Sequence, residues 1–315
     1  MRQVRIKVII LGLLTLFAIG LFLTFHTYGN WSFALPLRGK KILAFVVVGT
    51  LTSFSTIAFQ TLTQNHFLTP SILGFDSLYV LVQTILFFFL GQSRQGDPVL
   101  FVINVCLMVF FSVLIFSTLL KKDKQDLFLL LMVGMILGTL FKSMSTFLQV
   151  LMDPNEYDKL QGKLFASFSN VDVSLLVLVV PIVLVLVFLF IKASPKLDVL
   201  HLGLEQGINL GINVPVFRKY MLFLISLSVA IATALIGPIT FLGFIVANVT
   251  YQWLGTYKHV YLFIAASFMS VLFLVSGQFL VEQVFHMNTT LSVVIEFSGG
   301  LYFVFKLVKE KGGRA

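Results

Sequence analysis

The chain has 315 residues, of which 58% are hydrophobic and only 11% charged, and its net charge is +9. A soluble domain carries about 25% charge, so this composition argues against a soluble fold, and the length instead accommodates roughly ten spans of about 20 residues. No run of Lys and Arg interleaved with aromatics lies on a solvated face, which argues against nucleic acid as a partner and leaves membrane orientation as the cause of the basic excess.

Arg2, Arg5 and Lys7 precede an apolar run from Val8 to Phe25. That run is longer than the core of a secretion signal and no small-residue cleavage pattern follows, so it is predicted to be a retained first span. The apolar runs as a set fall at 8–28, 42–62, 71–90, 99–120, 127–151, 173–191, 220–236, 238–253, 260–281 and 291–308. They predict an all-α polytopic membrane protein forming one transmembrane domain over 1–315. Alternating the spans from an inner N-terminus leaves outside only Arg38, Lys40, Lys41, Arg94, Lys159 and Lys163. That bias predicts both termini in the cytoplasm.

Two polar stretches interrupt the pattern: an outer one from Asp153 to Asp172, and an inner one from Ser194 to Pro215 that reads as partly helical. Cys106, the single cysteine, sits inside an apolar run and reads as a packed small hydrophobe.

The stretch from Arg218 to His259 organises the rest. An apolar run, Tyr220 to Ile236, breaks at Gly237-Pro238, resumes through Phe244 and Val246, and turns polar from Ala247 to His259. Such a break frees backbone polar groups, which membranes tolerate only against protein or a wet cavity. Pro70-Ser71-Ile72-Leu73-Gly74-Phe75 echoes Pro238-Ile239-Thr240-Phe241-Leu242-Gly243-Phe244. Paired interruptions in two halves are a sign of an inverted-repeat transporter, and chance in a Leu-, Gly- and Phe-rich chain is the competing explanation.

No phosphate-binding G-x-x-x-x-G-K-[ST], no H-E-x-x-H and no nucleophile elbow occurs. His26, His66, His201, His259 and His286 lack ligand spacing. The chain is therefore expected to be no enzyme and to bind no metal or cofactor. Gly134, Gly138 and Lys142 lie on one face of the fifth run, the glycines serving either close helix packing or a pathway. Lys142 lies roughly 23 Å in from Leu127, and Glu296 roughly 8 Å in from the outer end at Leu291. The two either pair or line one polar path, or else Lys142 snorkels and Glu296 is satisfied locally. Arg38, Lys40 and Lys41 break the orientation rule and read either as an anchor for acidic groups on an external partner or as lipid-headgroup contacts. Tyr220, Tyr251, Trp253, Tyr257 and Tyr261 read as interfacial aromatics.

These residues resemble, from about Leu37 to Lys309, the permease subunits of bacterial ATP-binding-cassette (ABC) importers for iron–siderophore complexes, haem and cobalamin. Leu37-Arg38 through Ala44 looks like the entry to the family's second span. Gln60, Asn65 and Thr69-Pro70-Ser71-Ile72-Leu73-Gly74 look like its Q-x-x-x-x-N-P-L-A-x-P-x-x-L-G, and Leu210-Gly211-Ile212 like its L-G-I. Gly237 to Val246 looks like its G-x-I-x-F-V-G-L-I-V-P-H, the most specific of the four. The resemblance implies two pseudo-symmetric halves and ten helices per subunit. It also implies a channel of two permeases, two cytoplasmic ATPase subunits that use the ATP, and an extracytoplasmic binding protein. It makes 243–259 a cytoplasmic coupling element, with Thr250, Gly255, Thr256, Tyr257, Lys258 and His259 as the expected contact surface. It implies that the fifth and tenth helices, carrying Gly134, Gly138, Lys142 and Glu296, line the path, and that Arg38 with Lys41 docks the binding protein.

Departures accompany the likeness. The family's Pro-His is Ala247-Asn248 here, its Asn-Pro is Asn65-His66, and an outer Arg is replaced near Val281-Glu282. They point to a heterodimer whose second permease supplies what this chain lacks. Asn248-x-Thr250-Tyr251-Gln252 and Gly277-Gln278 look like the siderophore branch. The expected function is passage of a ferric siderophore across the cytoplasmic membrane, with an ion-coupled secondary transporter and a non-transporting membrane scaffold as the rivals.

Overall fold

A computed structural model describes residues 2–26, 31–90, 98–119, 127–165, 168, 171–287 and 289–312. Arg94 lies outside them. Among the described residues the chain is all α: α1 (Arg2–Thr24), α2 (Trp31–Thr63), a 3-10 turn (Ser71–Leu73), α3 (Phe75–Leu90), α4 (Pro98–Leu119), α5 (Leu127–Val150) and α6 (Pro154–Leu164) make up the first half. Then come α7 (Val173–Leu200), α8 (Leu204–Asn209), α9 (Val214–Ile236), α10 (Leu242–Leu254), α11 (His259–Gln283) and α12 (Leu291–Gly312). Each expected span coincides with a helix, and the polar outer and inner segments contribute the short α6 and α8. Among the described residues six helices are long and apolar enough to cross a membrane.

Boundaries follow local chemistry. Asp153 and Asp172 accept from the backbone N–H groups of Asn155 and Ser174, each at 2.9 Å, and so cap α6 and α7. Asn213 caps α9 through Val216 at 3.2 Å. Such caps satisfy donors that a helix start leaves unpaired. α2 begins at Trp31, well before the apolar run at 42, and holds Pro36 inside its second turn, a position where proline removes one i→i−4 bond. The outer cluster of bases is therefore helical.

α2 lies at the centre, packed against α7, α9, α10 and α11. Its side chains Phe45, Ile57 and Ala58 are fully buried beside Phe263, Ala265 and Leu274 of α11. Small hydroxyl residues, Ser53, Ser55, Thr56 and Thr61, are also buried along it. Their hydroxyls bond locally where the structure shows partners, as Ser55 does to the Thr52 carbonyl at 3.0 Å. α1 packs outside on α11, α4 on α9, and α5 on α3 and the 3-10 turn. The outer faces of α1 and α7 expose Leu13, Phe17, Leu184 and Phe188. In water such a surface would aggregate; in a bilayer it faces hydrocarbon.

The two sequence breaks meet inside the bundle. Gly74 adopts φ 89° to turn the 3-10 segment into α3, and Gly237 adopts φ 96° where α9 ends. Both conformations favour glycine. Residues of both breaks, Pro70 and Ser71 on one side and Gly237 and Thr240 on the other, line one small cavity.

Candidate coupling, docking and pathway sites

At its C-terminal end, α10 stops on Gly255, whose left-handed φ of 59° lets its N–H reach the Tyr251 carbonyl at 3.0 Å. The turn Gly255-Thr256-Tyr257-Lys258 then leads into α11, with the Thr256 hydroxyl accepting from the Lys258 N–H at 3.3 Å. The expected contact residues divide sharply. Tyr257 is 51% exposed and Gly255 is exposed, whereas Thr250 and His259 are buried. His259 is held from three directions. Its N–H donates to Asp198 Oδ1 at 2.7 Å, its Nδ1 meets the same oxygen at 2.7 Å, and its Nε2 meets the Thr61 hydroxyl at 2.7 Å. It thereby ties the α11 start to the ends of α7 and α2. Gln64 adds a bond from its amide to the Leu200 carbonyl at 2.7 Å. His201, just past α7, stacks near Tyr251 and stands 6.0 Å from the His259 ring. Burial first, then the neighbouring His259, hold His201 below the usual histidine range, with Asp198 opposing.

The inner segment carries a second surface that sequence reasoning did not single out. Leu202, Ile208 and Leu210 around α8 are 63%, 56% and 65% exposed. The available signal was their apolar character in an otherwise polar, solvated segment.

Two departures from the family pattern touch each other. The Asn248 amide donates to the His66 carbonyl at 3.2 Å, and the Gln60 amide donates to the same oxygen at 2.7 Å. Lys306 of α12 bonds Asn248 Oδ1 and lies 4.7 Å over the Phe67 ring. One side chain thus joins α12 to α10 and to the segment between α2 and the 3-10 turn.

Each of the three bases in the first turns of α2 has a different setting. Arg38 donates to the carbonyls of Phe22, Leu23 and Phe25 at 2.8, 3.1 and 2.7 Å, closing the C-terminus of α1. Lys41 is only 4% exposed and its Nζ lies 2.8 Å from Glu282 Oε1, which also accepts from Gln278 at 2.8 Å. Lys40 is half-buried, and its charge acts on Asp172, the cap of α7. The Asp172 carboxyl is lowered chiefly by the backbone and hydroxyl of Ser174, and to a lesser degree by Lys40.

The glycines of α5 form a seat for the first break. A Cβ at Gly134 would come within 2.7 Å of a Leu73 methyl, and one at Gly74 within 3.0 Å of the Gly138 Cα. Lys142 and Glu296 are both exposed on their helices, and the ion pairs among the described residues are Lys41–Glu282 and His259–Asp198. Thr139, Lys142, Ser143 and Thr146 fall on one exposed face of α5. A polar stripe on a spanning helix belongs against protein or a wet path, not lipid.

Comparison with known proteins gives concordant results. The profile of the FecCD transport family matches residues 7–309. The chain is 45% identical over 309 residues, 97% of its length and 98% of the relative's, to the petrobactin import system permease protein YclO of Bacillus subtilis. It is 36% identical over 98% of its length, and 88% of the relative's, to the petrobactin import system permease protein FatC of Bacillus anthracis. Among solved structures, a chain of a metal-chelate type ABC transporter in an inward-facing conformation superposes with a TM-score of 0.84. It covers 97% of this chain and 99% of that one at 21% identity, and it establishes the shared fold.

Proposed function

The chain belongs to the FecCD transport family, and we propose that it is the channel-forming permease subunit of an ABC importer that carries a ferric siderophore of the petrobactin class across the cytoplasmic membrane. The observation that carries this reading is the end-to-end 45% identity with a petrobactin import permease. The buried α2 core, the lipid-facing outer helices and the polar face of α5 support it.

The chain binds no cofactor of its own and hydrolyses nothing; ATP is used by two cytoplasmic ATPase subunits. Both termini are cytoplasmic. A second permease, distinct from this one, completes the channel, and Gly134, Gly138, Lys142 and Glu296 mark the helices that face the path. An external binding protein delivers the chelate near Arg38, Lys40 and Lys41. Lys40 is the base best placed to meet it, because Arg38 and Lys41 are engaged within the chain.

The ATPase meets the inner surface formed by Gly255, Thr256, Tyr257 and Lys258 together with the exposed apolar side of α8. An apolar patch on a water-facing surface marks a protein contact. Thr250 and His259 act from beneath it, fixing the turn. The test is reconstitution in proteoliposomes with a second permease, the ATPase and the binding protein. Uptake of iron-loaded petrobactin with ATP and no ion gradient is expected. Uptake driven by a proton gradient without ATP would overturn the reading.

A further inference from the structure

The cavity shared by the two helix breaks has about 30 Å³ of free volume, more than the roughly 10–15 Å³ that one water requires. Thr56 on its wall lies seven residues above the inner end of α2, about 10 Å into the membrane by the helical rise. Its polar lining is Thr52, Ser55, Thr56, Thr69, Ser71, Thr233, Thr240 and the carboxylate of Asp76, so every polar side chain there offers oxygen.

Three features set this chamber apart from a packing defect. The Asp76 carboxylate accepts from the Thr240 hydroxyl at 2.9 Å, yet no cationic side chain pairs with it among the described residues. The Thr69 hydroxyl belongs to a residue only 2% exposed and has no hydrogen-bond partner among the described residues. Finally, α9 ends on the cavity at Ile236 and Gly237, presenting the negative end of its dipole and carbonyls that the break at Pro238 leaves free of helical partners. An ionised carboxylate in such surroundings is costly unless something positive joins it. A proton would satisfy Asp76 alone and leave Thr69 and the carbonyls as they are. A hard cation satisfies all of them at once, as at interrupted helices that bind sodium.

The geometry points to a sodium-binding site at the junction of the two helix breaks, built on Asp76 with the hydroxyls of Thr69 and Thr240 and the carbonyl end of α9. One cavity-sized monovalent ion balances one carboxylate, and no nitrogen or sulfur ligand favours a transition metal. The ion would pin the 3-10 turn to the α9–α10 connection. This inference does not depend on the siderophore reading.

The test reads binding, not transport. The purified full chain in lipid nanodiscs is unfolded thermally in NaCl, KCl or choline chloride at one ionic strength. A saturable rise in Tm with sodium is expected, because a ligand bound only by the folded state stabilises it. Asp76→Asn should abolish the sodium response. Thr69→Val, which keeps shape and removes the oxygen, should raise the half-saturating concentration roughly tenfold. Equal Tm values in sodium and choline would overturn the site, leaving water or a protonated carboxyl in the cavity. A full sodium response in Asp76→Asn would overturn it too, and a response to potassium equal to or above that to sodium would overturn the assignment to sodium.

Discussion

Lys41 and Glu282 have left water together, 2.8 Å apart with side-chain exposures of 5% and 11%. Removing one partner of such a pair strands the other, at a cost of about 3–5 kcal/mol, whereas replacing both by apolar groups is often neutral. Lys41→Met should therefore lower the Tm of the purified permease markedly, and Lys41→Met with Glu282→Leu should restore most of it. A double variant as unstable as the single one would refute the pairing argument. Lys40 offers the contrast. It carries no buried partner, so Lys40→Glu should change stability by no more than about 0.5 kcal/mol. If Lys40 meets the binding protein, that variant slows its association, measurable by surface-immobilised nanodiscs, with the loss growing at low salt as expected for charge steering.

At the scale of helices, the α5 glycines are occupied by the first break. A Cβ at Gly138 would lie 3.3 Å from the Gly74 Cα. Gly138→Val adds more than that gap holds, and overpacking of this kind costs about 1–3 kcal/mol. A lowered Tm is expected, and an unchanged one would mean that α5 does not seat the turn. The same contact explains what was legible in the sequence. Apolar runs and the Gly-Pro break announced the helices, because hydrophobic length and missing donors act locally. The spacing of Gly134 and Gly138 announced a close approach but not to what, since Gly74 comes from a segment more than fifty residues away. The polar residues were harder. His259 reads in sequence as one more polar residue of an inner turn, and only the arrival of Asp198 and Thr61 buries it. Lys41 reads as one of three outer bases, and only α11 supplies the Glu282 that internalises it. Asn248 and His66 each departed from the family pattern in isolation, and folding brings them into contact.

For the whole molecule, the proposed function asks how motion in an ATPase partner would enter the bundle. His259 joins the inner turn to α7 and α2, and Lys306 with Asn248 joins α10 to α12. If an ATPase docks on the turn at Tyr257 as proposed, its push reaches α2 at the centre and α12 through side chains already in contact. A contact chain of this kind transmits force only if its elements occupy two arrangements that the ATPase favours unequally. The surface and its support are separable by mutation. Tyr257→Asp with Lys258→Glu alters the exposed turn and should leave Tm nearly unchanged while abolishing the link between ATP hydrolysis and uptake. Ile208→Asp with Leu210→Asp removes the apolar side of α8 and should weaken capture of the ATPase in pull-down from nanodiscs. His259→Ala removes the imidazole bonds to Asp198 and Thr61, keeps only the backbone N–H on the carboxylate and opens the junction beneath, so it should cost about 2–4 kcal/mol of stability and lose coupling as a consequence. Comparison of the three by Tm, ATPase retention and hydrolysis per iron transported assigns the roles. Normal uptake in both surface variants would place the ATPase on a different face of the bundle.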